Sequence, residues 1–557
     1  MTIIVTIRLF QRRYDDQHNP GLTSYIVSTE ECYIVDNRTD SNEPIEEVEF
    51  QHCFHGEPLT EVKEEIIEKK LKHKLIVLPT RLPNEPFWCC YQEKLYHIEY
   101  ARRSDFWTSV KYLDSKEGAV LHPLVEFVYT ECFIQEKMIY NEIHNIFRNR
   151  GNSIFVNNTK PGVLVLSIND IPKSKFSSMM PKTSWFLEED IVKWFPLNGY
   201  TKMNYNSFSI IMSMLSGWSE KDVFRICRPY SNFIDMHCPL IFQNFKSHGY
   251  FTAYGEDLNE QSTFYNIKRG FKYQITDFNL LPAIKKAYKN MSRKNTCLGN
   301  RHEFEYVLDY ASDFAKKFIN LPSFAFFRIG SLNQSTSRLI DKGVFNFLTK
   351  AKIDDLFKNN IVFLTSDLKG NRDLLPIMYV RLPHFFEKKF PKLVRNLNKN
   401  MNSLISPYDI HMTLKHILKL SNPSIKPSDS TGCPSCKSIF QEIPKTRGCK
   451  SIGVQEEFCP CEVLYQQLDV NSELAFEIAL KVIAYINQEI DKYNIFNQHQ
   501  DYICLFNKLK EIVKVSYNKK DNWFNIILTT FPADSRIEAV VDRKLMSVNH
   551  IYGQVLC

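Results

Sequence analysis

The chain has 557 residues, 70 Lys+Arg against 63 Asp+Glu, a net charge of +7, and 44% hydrophobic and 24% charged residues. That balance excludes long disorder, collagen and coiled coil as the main architecture, and so mild a charge is not the dense basic stripe of a nucleic-acid binder. No apolar run reaches the roughly 18 residues that a membrane-spanning helix needs.

The opening MTIIVTIRLF is apolar, but Arg8 interrupts it and no basic segment precedes it. It reads as a first strand rather than a signal peptide. YIVSTEECYIVD (25–36) and KLIVLPT (74–80) also read as strands. EVKEEIIEKKLKHK (61–74) reads as an amphipathic helix with its charges on the solvated face. Trp88-Cys89-Cys90-Tyr91 reads as packed strand, since adjacent cysteines bond each other only with strained geometry. Residues 1–155 are therefore expected to form an α+β region.

From about residue 155 the pattern changes. GVLVLSIND (162–170) is a nearly continuous apolar run that ends in polar residues. This predicts a parallel strand buried on both faces, with its carboxyl end at a site. Similar runs recur at FAFFRIG (324–330), NIVFLTSD (360–367) and PIMYVRLP (376–383), with helical patterns at 206–217, 237–249, 301–318 and 338–357. Strand–helix alternation predicts an α/β core over 156–425, a central sheet flanked by helices. A Pro/Ser/Cys-rich connector follows over 426–465. Over 466–557 a helix (ELAFEIALKVIAYINQEIDKY) precedes DYICLFNKLKEIVKVSYN and NWFNIILTTF, which predicts a small β-rich unit.

Five of the 15 cysteines lie in the connector: Cys433, Cys436, Cys449, Cys459 and Cys461. CPSC followed by CPC could hold a structural zinc, but a zinc ribbon takes two knuckles with two-residue gaps and CPC has a single-residue gap. Free thiols are a further reading, and disulfides in an oxidising compartment fit such a loop-rich stretch better. Asn-X-Ser/Thr triplets at Asn37, Asn157, Asn290 and Asn333 are what chance supplies, so they do not locate the protein.

Reactive residues of a doubly wound sheet collect at the carboxyl ends of its strands. The candidates there are Asn169 and Asp170, the 331–337 segment, and Ser366 with Asp367. Ser207 opens a helix, where backbone N–H groups favour an anion. Its hydroxyl could attack a phosphorus or sulfur centre if a metal lowered its pKa. From spacing alone, a plain helix cap with Asn206 is the simpler reading.

At these residues the chain resembles the domain of unknown function 229 family, a sulfatase-like branch of the alkaline phosphatase-like superfamily. GVLVLSIND, MMPKTSWFLEED (179–190), LNGYTKMNYNSFSIIMSMLSG (197–217) and CPLIFQNFKSHGYFTAYGED (238–257) carry the resemblance. So do CLGNRHEFEYVLDY (297–310), NIVFLTSD, LPIMYVRLP (375–383), SPYDIHMTL (406–414), SIFQEIPKTRGC (438–449) and CPC (459–461). The resemblance implies an alkaline phosphatase/sulfatase-like sheet and a two-metal site with a hydroxyl nucleophile, and it also shows where this chain departs. The family's Gly-Ile-Asp-Ser, with a ligand Asp, is here Ser167-Ile168-Asn169-Asp170. The family's Asn-Thr-Phe is Asn206-Ser207-Phe208, which makes Ser207 a vestigial nucleophile position. Its His-Asp is Gln334-Ser335, and its Ser-Asp-His-Gly is Ser366-Asp367-Leu368-Lys369-Gly370. A loop of about a dozen polar residues, of the kind usually functional, has shrunk to residues 371–374. Asn169 and Asp367 remain as remnant ligand positions, and Gln334, Ser335 and Leu368 are replacements.

These departures imply a divergent member with little or no hydrolase activity. No cofactor is expected beyond a weakly held divalent cation, and the partner is an anionic ligand or a protein, with no nucleic acid and no membrane span. The alternative is an active metal-dependent phospho- or sulfo-ester hydrolase, or a phosphoryl-group transferase, with a rearranged ligand set drawn from Asp170, His302, Asp373, Asp409 and His411. The resemblance also implies an extracellular or secretory-lumen location and disulfides. Cys449, Cys459 and Cys461 match family cysteines, Cys504 is expected to pair with Cys557, and Cys238 with Cys297.

Overall fold

A computed structural model describes residues 25–29, 31–36, 53, 57–67, 70–78, 85–96, 107–148, 160–190, 193–204, 206–227, 238–257, 263–264, 274–294, 296–330, 336–368, 374–461, 465–496, 505–518, 523–532, 534–543 and 548–552. The expected strand at 1–10, together with Gln334, Ser335, Asp373, Cys504 and Cys557, lies outside the described residues. Contacts divide the chain into one unit of residues 25–461 and another that holds 462–557.

In the larger unit, Tyr25–Ser28 and Tyr33–Val35 form a short hairpin. The stretch 61–74, expected as a helix, is instead an antiparallel hairpin of Thr60–Ile67 and Lys70–Val77. Val62, Ile66, Leu71 and Leu75 recur at helix-like spacing, but Val62 pairs across the hairpin with Leu75 and Ile66 with Leu71. A second antiparallel sheet contains Phe87–Leu95, Val125–Ile134 and Lys137–Asn145. Cys89 there bonds Cys132 on the adjacent strand, and Cys90 is a buried free thiol.

The central sheet has seven strands, labelled here in chain order: β1 (Gly162–Asn169), β2 (Trp194–Pro196), β3 (Phe251–Glu256), β4 (Phe278–Asn279), β5 (Ser323–Ile329), β6 (Asn360–Asp367) and β7 (Met378–Arg381). Their spatial order is β2-β7-β6-β1-β5-β3-β4. β1 lies between β5 and β6, parallel to both, and all eight of its residues are buried. The interior position explains the unbroken apolar run. β7 corrects one expectation: it runs antiparallel to β6, and β2 pairs antiparallel with it at the sheet edge.

Helices cover both faces. Among them are α1 (Ser207–Ser216), α2 (Glu303–Lys317), α3 (Ser337–Ile353) and α4 (Pro407–Ser421). One face packs Leu164, Leu166, Phe327 and Leu364 against α2 and α3, and Phe127 and Tyr129 of the amino-terminal sheet join that core. The other packs Val163, Val165, Phe326 and Phe363 against α1 and α4.

Six disulfides are present among the described residues. Within the connector Cys433 bonds Cys436 and Cys449 bonds Cys459, while Cys461 reaches back to Cys32. The expected Cys238–Cys297 pair is not formed. Cys238 bonds Cys227, eleven positions away, and Cys297 bonds Cys53. Both cysteines lie in well-matched motifs, but the fold sets them beside other partners, and a disulfide needs Cα atoms within about 7 Å.

In the smaller unit a five-stranded antiparallel sheet carries helix Glu473–Phe496. Trp523–Phe531 alternates between buried and half-buried positions, and its inward Phe524, Ile526 and Leu528 meet Ile478, Val482 and Ile486 of the helix. A one-faced sheet with a helix on it requires this alternation.

Candidate functional site

Register places Glu256, Arg328, Ser167 and Thr365 abreast across β3, β5, β1 and β6. Asn169 and Asp367 lie abreast two residues further on. Side chains two apart on a strand share a face, so these residues continue the rows of Val163, Val165, Phe326 and Phe363 under α1. The apolar face thus gives way to a polar tip at the carboxyl ends of the strands, and α1 presents its first residue there.

Arg328 occupies the centre of this tip and is fully buried (0% exposed). Its Nη2 donates to Asp367 Oδ2 at 2.9 Å and to Asn169 Oδ1 at 3.0 Å, and its Nε donates to Asp367 Oδ1 at 3.3 Å. Nη1 lies 3.9 Å from Glu256 Oε2. Ser167 Oγ also donates to Asp367 Oδ1, at 3.1 Å. Burial works against the guanidinium charge, but Asp367, with Glu256 and Asp257 beyond it, outweighs that and raises the Arg328 pKa above its ordinary value. A buried charge is tolerated when it is paired and hydrogen-bonded in this way.

Ser207 is buried, and its Oγ donates to Asn169 Oδ1 across a long 3.5 Å contact. Asn206 caps α1 by accepting the backbone N–H of Ser209 at 3.0 Å. Sequence-predicted Ser207, Asn169 and Asp367 therefore do converge, with Ser207 touching the amide and the amide sharing Arg328 with the carboxylate. Leu368 is buried just beyond β6. Ser366 faces the other way: its Oγ donates to Ile171 O at 2.6 Å and accepts Ile377 N–H at 3.0 Å.

The proposed replacement ligands among the described residues, Asp170, His302, Asp409 and His411, are elsewhere or turned away. Asp170 has a left-handed backbone (φ 59°) and an exposed side chain, so the strand end turns sharply there. His302 caps α2 and sits 2.9 Å from Thr296 Oγ1 through Nδ1. Asp409 closes a capping box with Ser406 and lies 3.0 Å from Arg447. His411 is buried with Nδ1 at 3.0 Å from Met214 O, and burial lowers its pKa to about 3.

A two-metal site gathers carboxylates and imidazoles around its ions. At this tip both oxygens of Asp367 and the amide oxygen of Asn169 are aimed at a guanidinium instead. Two like unit charges about 4 Å apart repel by roughly 4 kcal/mol at an effective dielectric of about 20, and a divalent ion doubles that. Among the described residues, groups of at least three His, Cys, Asp or Glu close enough to share an ion are Cys53, Cys297 and His302, and Cys449, Cys459 and Cys461. The cysteines in both are in disulfides, and it is the thiolate that ligates metal.

Arg328 and Glu256 were not singled out by the sequence reading. The signal was available: one arginine inside an otherwise apolar strand predicted to be buried on both faces must have a carboxylate partner close by.

A family model described as protein of unknown function (DUF229) matches residues 46–512. The chain belongs to the DUF229 family. No curated protein sequence matches this DUF229 chain. Among solved structures it is similar to a protein in the alkaline phosphatase superfamily from Vibrio parahaemolyticus (8% identity, 72% of this chain and 84% of that one, TM-score 0.34). It is similar to the lipoteichoic acid synthase LtaP from Listeria monocytogenes (9% identity, 72% and 89%, TM-score 0.32). It is also similar to the PsFucS1 sulfatase from Pseudoalteromonas sp. (11% identity, 55% and 74%, TM-score 0.31). The α/β class of the DUF229 chain rests on its own strand order. No helix among the described residues is long and apolar enough to cross a membrane.

Proposed function

We propose that this DUF229 chain keeps a sulfatase-like scaffold but has lost ester hydrolysis, and that it acts by binding an anionic ligand or a protein partner. The observation that carries the reading is the partner of Ser207: its hydroxyl meets an amide oxygen at 3.5 Å, not a base. An amide cannot take the proton, and without a base or an ion the hydroxyl keeps its ordinary, weakly nucleophilic state. The deciding experiment is turnover of an aryl phosphate and an aryl sulfate by the purified chain, with Mg²⁺, Ca²⁺, Mn²⁺ or Zn²⁺ added in turn. The expected result is none above background. Turnover that Ser207→Ala abolishes would establish the alternative, an active hydrolase or phosphoryl-group transferase.

The same proposal places the protein outside the cell or in the secretory lumen. The disulfides support this, since cytosolic thiols stay reduced. Asn290, the triplet among the described residues, is exposed at a helix end and accessible to a glycan. Twelve of the 15 cysteines are bonded, which leaves Cys90, Cys504 and Cys557. A thiol titration of the denatured, unreduced protein should therefore give one thiol if Cys504 and Cys557 are bonded and three if they are not. A titre near fifteen excludes the lumen.

A further inference from the structure

We infer that the guanidinium of Arg328 is the resident cation of the strand-end site, standing where the resemblance calls for divalent metal. The inference deepens the non-hydrolytic reading and rests on it.

The argument is one of position. Arg328 does not merely lie near the remnant ligand positions; its Nη2 and Nε donate to their oxygens. Nη2 is shared between Asn169 and Asp367, and Nε takes the second oxygen of Asp367. A divalent ion would need those same oxygens as ligands, and the guanidinium nitrogens already hold them at 2.9–3.3 Å. Register fixes the arginine there, because Arg328 pairs with Ser167 on β1 and with Glu256 on β3. The side chain is fully enclosed, so it has no alternative position in solvent. The change to Asn169 fits the same account. One positive charge replaces the greater charge of metal, and fewer anionic ligands are needed to balance it. Asp367 and the more distant Glu256 supply them.

The experiment uses the full chain, with metal content by mass spectrometry and melting temperature with and without Mg²⁺, Ca²⁺, Mn²⁺ and Zn²⁺. Wild type should melt at the same temperature in every arm and in chelator. Arg328→Ala should melt lower, because it leaves Asp367 without its cation, and should recover in part when methylguanidine or a divalent ion is added. Arg328→Lys should fall between the two, since an ammonium keeps the charge but not the fork. If Arg328→Ala does not fold, Asp367→Asn decides. It should lower the melting temperature by the same amount with metal or chelator. Near-stoichiometric metal in wild type that Asp367→Asn removes, or a metal-induced rise in melting temperature that Asp367→Asn abolishes, overturns the inference. Ion bound through the cysteine groups would survive that substitution. Metal at Asp367 without turnover defeats this inference alone, and turnover without metal defeats the functional reading alone.

Discussion

Two buried arginine–aspartate pairs in this molecule have nearly the same chemistry and different meanings. Arg328 and Asp367 meet at 2.9 Å at the carboxyl ends of the central strands. Arg447 and Asp409 meet at 3.0 Å at the start of α4. The second pair is a fastening. Asp409 also accepts the backbone N–H groups of Ser406 at 2.9 Å and Lys437 at 2.8 Å, and Arg447 donates to Leu404 O at 3.2 Å. The Lys437 and Arg447 contacts join the cysteine-rich connector to the start of α4 and to the short strand Leu404–Ile405 before it, and burial raises the Asp409 pKa although Arg447 and the backbone donors oppose it. The first pair has side-chain partners instead, Asn169 and Ser167, and Asn169 in turn meets the hydroxyl of Ser207, which opens α1 over the sheet. A buried ion pair by itself does not mark a site. Its place in the topology does.

The sharpest way to break the comparison is to remove Arg447. Arg447→Met leaves Asp409 buried without its cation and should cost about 3–5 kcal/mol in urea unfolding. A variant as stable as wild type would show that the pair fastens nothing. Next is the Cys32–Cys461 disulfide, which joins positions 429 apart in sequence. Replacing both cysteines with serine should cost about 2–5 kcal/mol, read as a lower denaturation midpoint.

One pH unit below about 6.5, a smaller effect comes from His411 and His144, both held neutral by burial with pKa lowered to about 3. Above about pH 6.5 neither state binds the proton, so their contribution is fully present there. As pH falls from about 6.5 toward 3, the unfolded chain takes protons that the folded one refuses, and stability drops by about 1.4 kcal/mol per pH unit for each histidine. His411→Gln should reduce that slope by one histidine's share, and an unchanged slope would mean that His411 titrates normally. The smallest change tested is at the helix start. Asn206→Ala removes the cap of α1 and should cost about 1 kcal/mol. Loss within error of zero would show that the cap seen at Ser209 contributes nothing.

Local pattern made much of the fold legible. GVLVLSIND announced an interior strand because a strand covered on both faces must be apolar at every position. Trp523–Phe531 was legible for the opposite reason, since a strand with one wet face alternates. The 61–74 hairpin was not legible, because no Gly, Asn or Pro interrupts that stretch and its sparse apolar residues satisfy a helical period too. At the site, Ser207, Asn169 and Asp367 were found by their places at element ends. Arg328 was overlooked inside an apolar run, although that context is what made it informative.

The sequence by itself determined the alternation of apolar strands and amphipathic helices, the polar residues at the strand ends, and the cysteine-rich character of the connector. These are properties of neighbouring residues, set by the two-residue and 3.6-residue periods. Only the tertiary structure decided that β7 runs against β6, that Cys32 reaches Cys461 and Cys53 reaches Cys297, and that Arg328 lands on Asp367 and Asn169. Those pairings join residues far apart along the chain, and the geometry that brings them together comes from packing the sheet and its helices, not from any local period.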